Sequence, residues 1–393
     1  MQKKLTLILL IFATLLLLTT CQIKPTKATT HTVNPGESIQ DAINAASPGD
    51  TIYVRAGVYR EYFRITKSLT LLGEDPKTTI IDGKQFAWIV LISADNVTFS
   101  GFTVQNGTPS MYTGQGISLS SRNNVTVSNN IIKDVANGIY FSACNNSKIF
   151  DNVITDCFNS GITFYSGYNN IIARNILTNN KRGFWFKEER FRDNIFYLNT
   201  LNNTNQFQVD ALGSNSWDDG SVGNYWSNYR GIDANGDGVG DTPYEINPPF
   251  YDNKPLVVPP FGLPIFWQNK LHFITFKSGS TIIRPCYDPA LKLLRFQVNG
   301  TVPSQGYCNL TIPNELFNTP YFILLGEDGT QINPDAIGAI NATHTWLYFT
   351  YYHTLPSLKV TVVPEFSSPM LLPLLLLTVL IAAFVAKIRK GIG

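Results

Sequence analysis

Along residues 116–202, apolar positions alternate or pair for four or five residues and then stop at Asn, Asp or Gly, again and again. The blocks NVTVSNNII from Asn124, NSKIFDNVI from Asn146, NNIIARNIL from Asn169 and DNIFYLNTL from Asp193 align at spacings of 22, 23 and 24 residues. Gly116, Gly138, Gly161 and Gly183 recur at 22, 23 and 22. Two independent markers thus keep one period, the mark of a repeat architecture. Helical periodicity never runs long enough for a crossover, so the units are short strands joined by tight turns. One such unit makes a coil of three short strands and can bury its inner face only against the coils above and below. The pattern predicts an all-β parallel β-helix.

Alternation assigns the faces of the strand after each glycine. Ile117/Leu119, Ile139/Phe141, Ile162/Phe164 and Phe184/Phe186 turn inward. Ser118, Tyr140, Thr163 and Trp185 turn outward, as do Ser120, Ser142, Tyr165 and Lys187. Asn130, Asn152, Asn175 and Asn199 fall at one position of successive coils, which predicts a ladder of stacked amides along a turn. Cys144 and Cys157 lie half a coil out of phase and read as buried free thiols.

An apolar core open at its end needs a cap. The stretch SIQDAINAASPGDTIYVRAGVYRE from Ser38 supplies one, as a short amphipathic helix, a Pro-Gly turn and a strand. Followed by LTLLGED from Leu69, TIIDG from Thr79 and the Asn-rich coils, it resembles the NosD type of the pectin-lyase-like right-handed β-helices, also described as carbohydrate-binding and sugar-hydrolase repeats. The resemblance covers residues 33–251. It implies the fold; it leaves activity open, because one β-helix serves lyases, hydrolases, epimerases, adhesins and binding modules. It also implies copper delivery, to which the residues give little support: copper favours imidazole and soft sulfur, only His31 lies near the β-helix, and Met111 is its one methionine.

The two ends set the compartment. Residues 1–28, with MQKK before an apolar stretch from Leu5 to Leu18, read as a secretory leader; Cys21 loosely imitates a lipoprotein box. Met370 to Ala386 is almost wholly apolar and is followed by Lys387, Arg389 and Lys390, which predicts a transmembrane helix with the body of the chain outside the cell. Pro364-Glu365-Phe366 resembles the motif before archaeal C-terminal surface anchors, so 364–393 is assigned to the anchor. Lys and Arg number 30 against 28 Asp and Glu, which leaves no basic field for nucleic acid. Sequons at Asn96, Asn106, Asn124, Asn145, Asn202, Asn299, Asn309 and Asn341 suit an exported glycoprotein.

Three constellations could carry chemistry. In DANGDGVGD, Asp233, Asn235, Asp237 and Asp241 place oxygens at positions 1, 3, 5 and 9 of a calcium loop, although Tyr244 stands where an EF-hand has its Glu. A structural calcium site and a metal-free Asx-turn loop are both compatible with this spacing. The loop belongs to the segment 213–247 (GNYWSNYRGIDANGDGVGDTPYEI from Gly223), which resembles the closing segment of NosD-like β-helices, with Trp226, Tyr229 and Tyr244 covering the last coil. Asp134 and Asp156 share a turn position one rung apart, about 5 Å, a separation that would suit a retaining glycosidase pair but is also ordinary for stacked turn residues. Finally, Tyr140, Tyr165 and Trp185, with Lys187 and Arg190 near them, make an outward aromatic and charged surface that could stack on sugar rings or pack beneath a loop.

Residues 252–264 form a Pro-rich linker after the β-helix of 32–251. The strands LHFITF, LRFQV, YFILL and WLYFTYY then predict a small antiparallel β-sandwich over 265–363. Within it GYCNLTIP resembles a domain found before archaeal surface anchors, and Cys286 and Cys308 could pair in an oxidising compartment. The combined expectation is a surface-anchored β-helix that binds glycan or envelope polysaccharide. Its rivals are a polysaccharide-acting enzyme and a copper accessory protein.

Overall fold

The computed structural model describes residues 28–364 apart from 111–112, 236, 261, 268–269, 318–320 and 327. The expected leader over 1–28, with Cys21, lies outside the described residues but for residue 28, as does the apolar run 370–386 with its basic tail. Among the described residues no helix is long and apolar enough to cross a membrane.

Three parallel sheets wrap one core, and each coil gives a strand to each sheet. The first has eight strands from Thr30–Val33 to Ile195–Tyr197, the second seven from Phe63–Ile65 to Asn205–Val209, and the third eight from Gly57–Tyr59 to Tyr225–Trp226. Register follows the sequence repeat: Ile117 pairs with Ile139, Ile139 with Ile162, Ile162 with Phe184 and Phe184 with Phe207. All eight residues assigned inward after the glycines are fully buried. The glycines recur because the coils touch there. A Cβ on Gly138 would stand 2.5 Å from the Gly161 carbonyl oxygen.

The asparagine ladder is present and longer than its four expected rungs. Asn130, Asn152, Asn175 and Asn199 each donate through Nδ2 to the Oδ1 of the next amide, at 3.0, 3.0, 3.0 and 2.8 Å, the last to Asn224. Asn224 in turn donates to the buried carboxylate of Asp252 at 3.2 Å. A second ladder joins Asn170, Asn194 and Asn215 at 2.8 and 2.9 Å, and Asn180 bonds to Asn203 at 2.8 Å. Amides stacked this way satisfy buried turns that have no strand ladder of their own.

Both ends of the core are closed. Ser38 caps the helix Ile39–Ala45 by accepting from the Asp41 N–H, and Ile39 and Ile43 are buried over the first coil. At the far end Trp217 stacks on Phe196 at 4.6 Å and Trp226 on Tyr244 at 4.6 Å. The chain then stays on the β-helix through the Pro-rich stretch: Leu256 bridges to Tyr225 and its N–H donates to the Asn224 carbonyl.

Two five-stranded antiparallel sheets form the sandwich, in strand order Leu263–Trp267, Lys270–Ser278, Ser304–Pro313, His344–His353, Ala336–Asn341 and Thr281–Asp288, Leu293–Asn299, Ser357–Pro364, Tyr321–Leu325, Thr330–Ile332. The expected Cys286–Cys308 bridge is absent, and both thiols are free. A register shift between Ile283 and Cys286 reverses the alternation, so Pro285 and Tyr287 face inward and Cys286 faces out. Cys308 lies in the core of the other sheet, 3.5 Å from Ser278 Oγ, with burial pushing its thiol up to about 11. Cys144 and Cys157 are buried free thiols, as their phase predicts.

Candidate functional site

The outward side of the seven-stranded sheet gathers the aromatic residues that alternation turned away from the core. Tyr140 and Tyr165 meet at 5.1 Å between ring centroids, tilted by 43°. Burial and the neighbouring Tyr165 push the Tyr140 phenol up, so it stays a neutral hydrogen-bonding group. Trp185 stands between Thr163 and Gln208 in register. Lys187 Nζ lies 3.9 Å and the Arg182 guanidinium 4.8 Å from its ring centroid. Each contact is a cation–π attraction that holds a positive group beside an aromatic face.

A polar network ties these groups together. Arg182 donates to Asn159 Oδ1 at 2.6 Å and to Gln208 Oε1; Asn159 donates to Asn137 Oδ1 at 2.7 Å; Ser160 bonds both Asn137 Oδ1 at 2.9 Å and Thr163 Oγ1 at 2.6 Å. Lys187 pairs with Asp210 at 2.5 Å, and Gln208 donates to the same carboxylate at 2.8 Å. Burial pushes the Asp210 carboxyl up, but the hydrogen bonds from Lys187 and Gln208 outweigh it and hold it below its ordinary value. The Trp185 indole N–H faces that carboxylate closely enough to contribute to the lowering without closing a hydrogen bond. Arg190, which the sequence placed nearby, is engaged by Glu188. Arg182, Asn159, Asn137, Gln208 and Asp210 escaped the sequence reading. The available signal was the polar residue that precedes each recurrent glycine: Gln115, Asn137, Ser160 and Arg182.

Asp134 and Asp156 lie elsewhere, at the corner between the third sheet and the second, both in the left-handed conformation with φ of 53° and 55°. Lys133 pairs with Asp134 at 3.6 Å; Asp156 accepts from Thr155 Oγ1 at 2.9 Å and from Asn179 Nδ2. Their oxygens serve the turn. Asp156 also lines a cleft of about 520 Å³ facing Arg230 and Tyr287.

In the loop 233–241 the side-chain oxygens fold onto the backbone. Asp233 accepts from the N–H of Asp237 at 3.2 Å and of Gly238 at 2.8 Å; Asn235 accepts from the Asp237 N–H at 3.0 Å; Asp237 accepts from the Val239 N–H at 2.8 Å; Asp241 accepts from the Ala234 N–H at 2.7 Å. The Asn235 and Asp237 bonds are Asx turns, and those of Asp233 and Asp241 reach across the loop. Among the described residues no group of three or more His, Cys, Asp or Glu side chains is placed to hold a metal. Asp233 and Asn235 border a cavity of about 730 Å³ against Phe276, Ser280 and Thr281 of the sandwich.

Residues 43–231 match the model of a family described as NosD, periplasmic copper-binding protein. No curated protein matches the sequence. Among solved structures the chain is similar to an alginate lyase from Paenibacillus sp. str. FPU-7, at 14% identity and a TM-score of 0.36 over 50% of this chain and 89% of that one. It is also similar to a pectin methylesterase in complex with a hexasaccharide, at 14% identity and 0.28 over 47% and 68%, and to ORF18 of Geobacillus virus E2, at 11% and 0.32 over 84% and 75%.

The described donors do not fit the copper in the family's description. Copper needs convergent imidazole or sulfur ligands. His31 pairs with Asp50 at the N-terminal end of the β-helix, His353 and His344 stand at opposite ends of one sandwich strand with His353 bonded to Ser280, and His272 sits on the strand Lys270–Ser278. The cysteines are spread across both domains.

Proposed function

We propose that this chain, whose residues 43–231 match the NosD family model, is a cell-surface protein that binds polysaccharide on the outward side of its seven-stranded sheet. The reading is carried by one observation: Tyr140, Tyr165 and Trp185 stand on a single rigid face with Arg182, Lys187, Gln208 and Asn159 between and beside them. Aromatic faces stack on the C–H faces of sugar rings, and amides and cations beside them meet hydroxyl and carboxylate groups. Hydrolysis by a carboxylate pair is the reading this face favours less. Asp210 is held by Lys187 and Gln208, and Glu188 by Arg190. The leader and the C-terminal apolar run support surface anchoring, with the sandwich as a spacer. The test is retention of soluble polysaccharide by the protein and its loss in Trp185→Ala.

Calcium belongs to the same proposal as a structural ion in the loop 233–241, supported by the spacing of its oxygens. An ion that binds only the folded form stabilises it by mass action. Millimolar calcium is expected to raise the melting temperature of wild type and not of Asp237→Ala. Superimposable wild-type melting curves in calcium and in chelator remove calcium from the account.

A further inference from the structure

The same outward face carries a second aromatic group near its N-terminal end. Tyr62 and Phe86 meet at 4.2 Å, and Trp88 stands edge-on to Tyr62 at 5.2 Å. Tyr62 is 43% and Phe86 44% exposed, so the rings shield one another only in part. Trp88 pairs with Gln115, Gln115 with Asn137 and Asn137 with Ser160, in the column that Arg182 occupies on the next strand. Four strand spacings separate Trp88 from Trp185 in the sheet order, about 19 Å along the helix axis.

A tight turn precedes Phe86, closed by its N–H on the Gly83 carbonyl at 2.9 Å. Lys84 and Gln85 are successive non-glycine residues in the left-handed region, with φ of 47° and 65°. Such residues persist only where their surroundings over-determine them. Here the Gln85 N–H donates to the Asn106 carbonyl at 2.8 Å, the Gln85 side chain bonds to Asn106 Oδ1, and Asn106 donates to Asp82 at 2.7 Å. A turn pinned on both sides thus fixes the place of Phe86 beside Tyr62 at the surface.

We infer that Tyr62, Phe86 and Trp88 form a second sugar-stacking subsite, and that the ligand is an extended, unbranched polysaccharide lying along the helix axis and reaching both aromatic groups. This rests on the reading of the Trp185 face as a glycan site. The occupant follows from continuity: both clusters stand on one side of one sheet, and a straight polymer reaches both where a single sugar ring reaches one. Two weak subsites on one chain multiply through effective concentration, so affinity should depend steeply on chain length.

The test is affinity electrophoresis of the full chain in detergent through gels containing xylan, alginate or dextran, followed by titration of the retained polymer and of its disaccharide. Tyr62→Ala/Phe86→Ala should bind polymer about tenfold more weakly and bind the disaccharide as wild type does, because the Trp185 subsite is intact. Tyr62→Ala and Phe86→Gln are made singly as well, each with a melting curve, so that a folding defect in the double variant leaves two independent readouts. Wild-type retention together with unchanged polymer affinity in every variant overturns the inference and leaves the Trp185 site standing. A change of oligomeric state between wild type and the variants with polymer affinity unchanged overturns it too, and assigns the rings to a protein interface. Absence of retention by wild type on all three polymers overturns the inference and the underlying reading together.

Discussion

Phe164→Ala should destabilise the protein by about 3–5 kcal/mol, whereas Trp185→Ala, one strand away on the same sheet, should cost under about 1.5 kcal/mol. Phe164 sits at the centre of the aromatic core. It stacks on Phe191 at 4.5 Å and Phe186 at 5.2 Å, and meets Phe141, Phe184 and Phe196 within 6.0 Å. Phe141, Phe184, Phe186 and Phe196 are fixed by strand register and Phe191 by its bridge to Gly167, so they cannot collapse into the space a missing ring leaves. The cost is therefore the lost transfer energy plus that of a cavity. Trp185 points the other way, against Arg182 and Lys187, which can close over the gap or stay in water. Urea unfolding of the two variants measures the difference. Equal losses would mean that the indole belongs to the core and that the two sides of the sheet have been exchanged.

Asp252→Ala should be comparably damaging, at about 3–5 kcal/mol. This carboxylate is fully buried and accepts from Trp226 Nε1 at 2.8 Å, from the N–H groups of Asn224 and Lys254 at 2.8 and 3.0 Å, and from the last amide of the ladder at 3.2 Å. Removing it leaves three donors, the Trp226 indole and the N–H groups of Asn224 and Lys254, without an acceptor where the β-helix closes, while the Asn224 amide keeps the Phe196 and Trp217 carbonyls. Burial pushes the Asp252 carboxyl up from 3.8 to about 6, with the bonds from Trp226 and Asn224 opposing the rise. Because the folded protein keeps this proton to higher pH than the unfolded chain does, stability should fall as pH rises from about 4 to about 6 and then level off. The stability difference between wild type and Asp252→Asn, read from denaturation midpoints, should fall across that range, because the carboxylates held low, such as Asp210, contribute equally to both proteins. A slope of opposite sign would show that the folded carboxyl titrates below the unfolded one.

The β-helix was legible because its signals are periodic and local. Strand parity around Gly138 or Gly161 needs only the residues beside it, and the Asn130 to Asn199 column needs only the period. What escaped reading depended on partners far apart in the chain. Asn224 and Asp252 extend the ladder after the repeat has dissolved into the closing segment, so no spacing announces them. The register shift before Cys286 reverses a parity that simple alternation would have set inward. The Pro-rich stretch reads as a linker by composition, yet Leu256 and Val257 are buried against the last coil. At the candidate site the rings and Lys187 were found by alternation, while Arg182 is tied in by Asn159 and Asp210 by Lys187 through contacts of more than twenty residues in sequence.

The central claim is that the outward face, and not a turn carboxylate pair or a metal, carries the function. Equilibrium binding of soluble polysaccharide to the full chain, compared between wild type, Trp185→Ala and Asp134→Asn/Asp156→Asn, tests it most directly. The account predicts that wild type and the double Asn variant bind alike and release no reducing ends, while Trp185→Ala keeps its fold and loses affinity by about tenfold, the worth of one stacking contact of about 1.4 kcal/mol. Unchanged binding in folded Trp185→Ala, or reducing-end release that the double Asn variant abolishes, would contradict it.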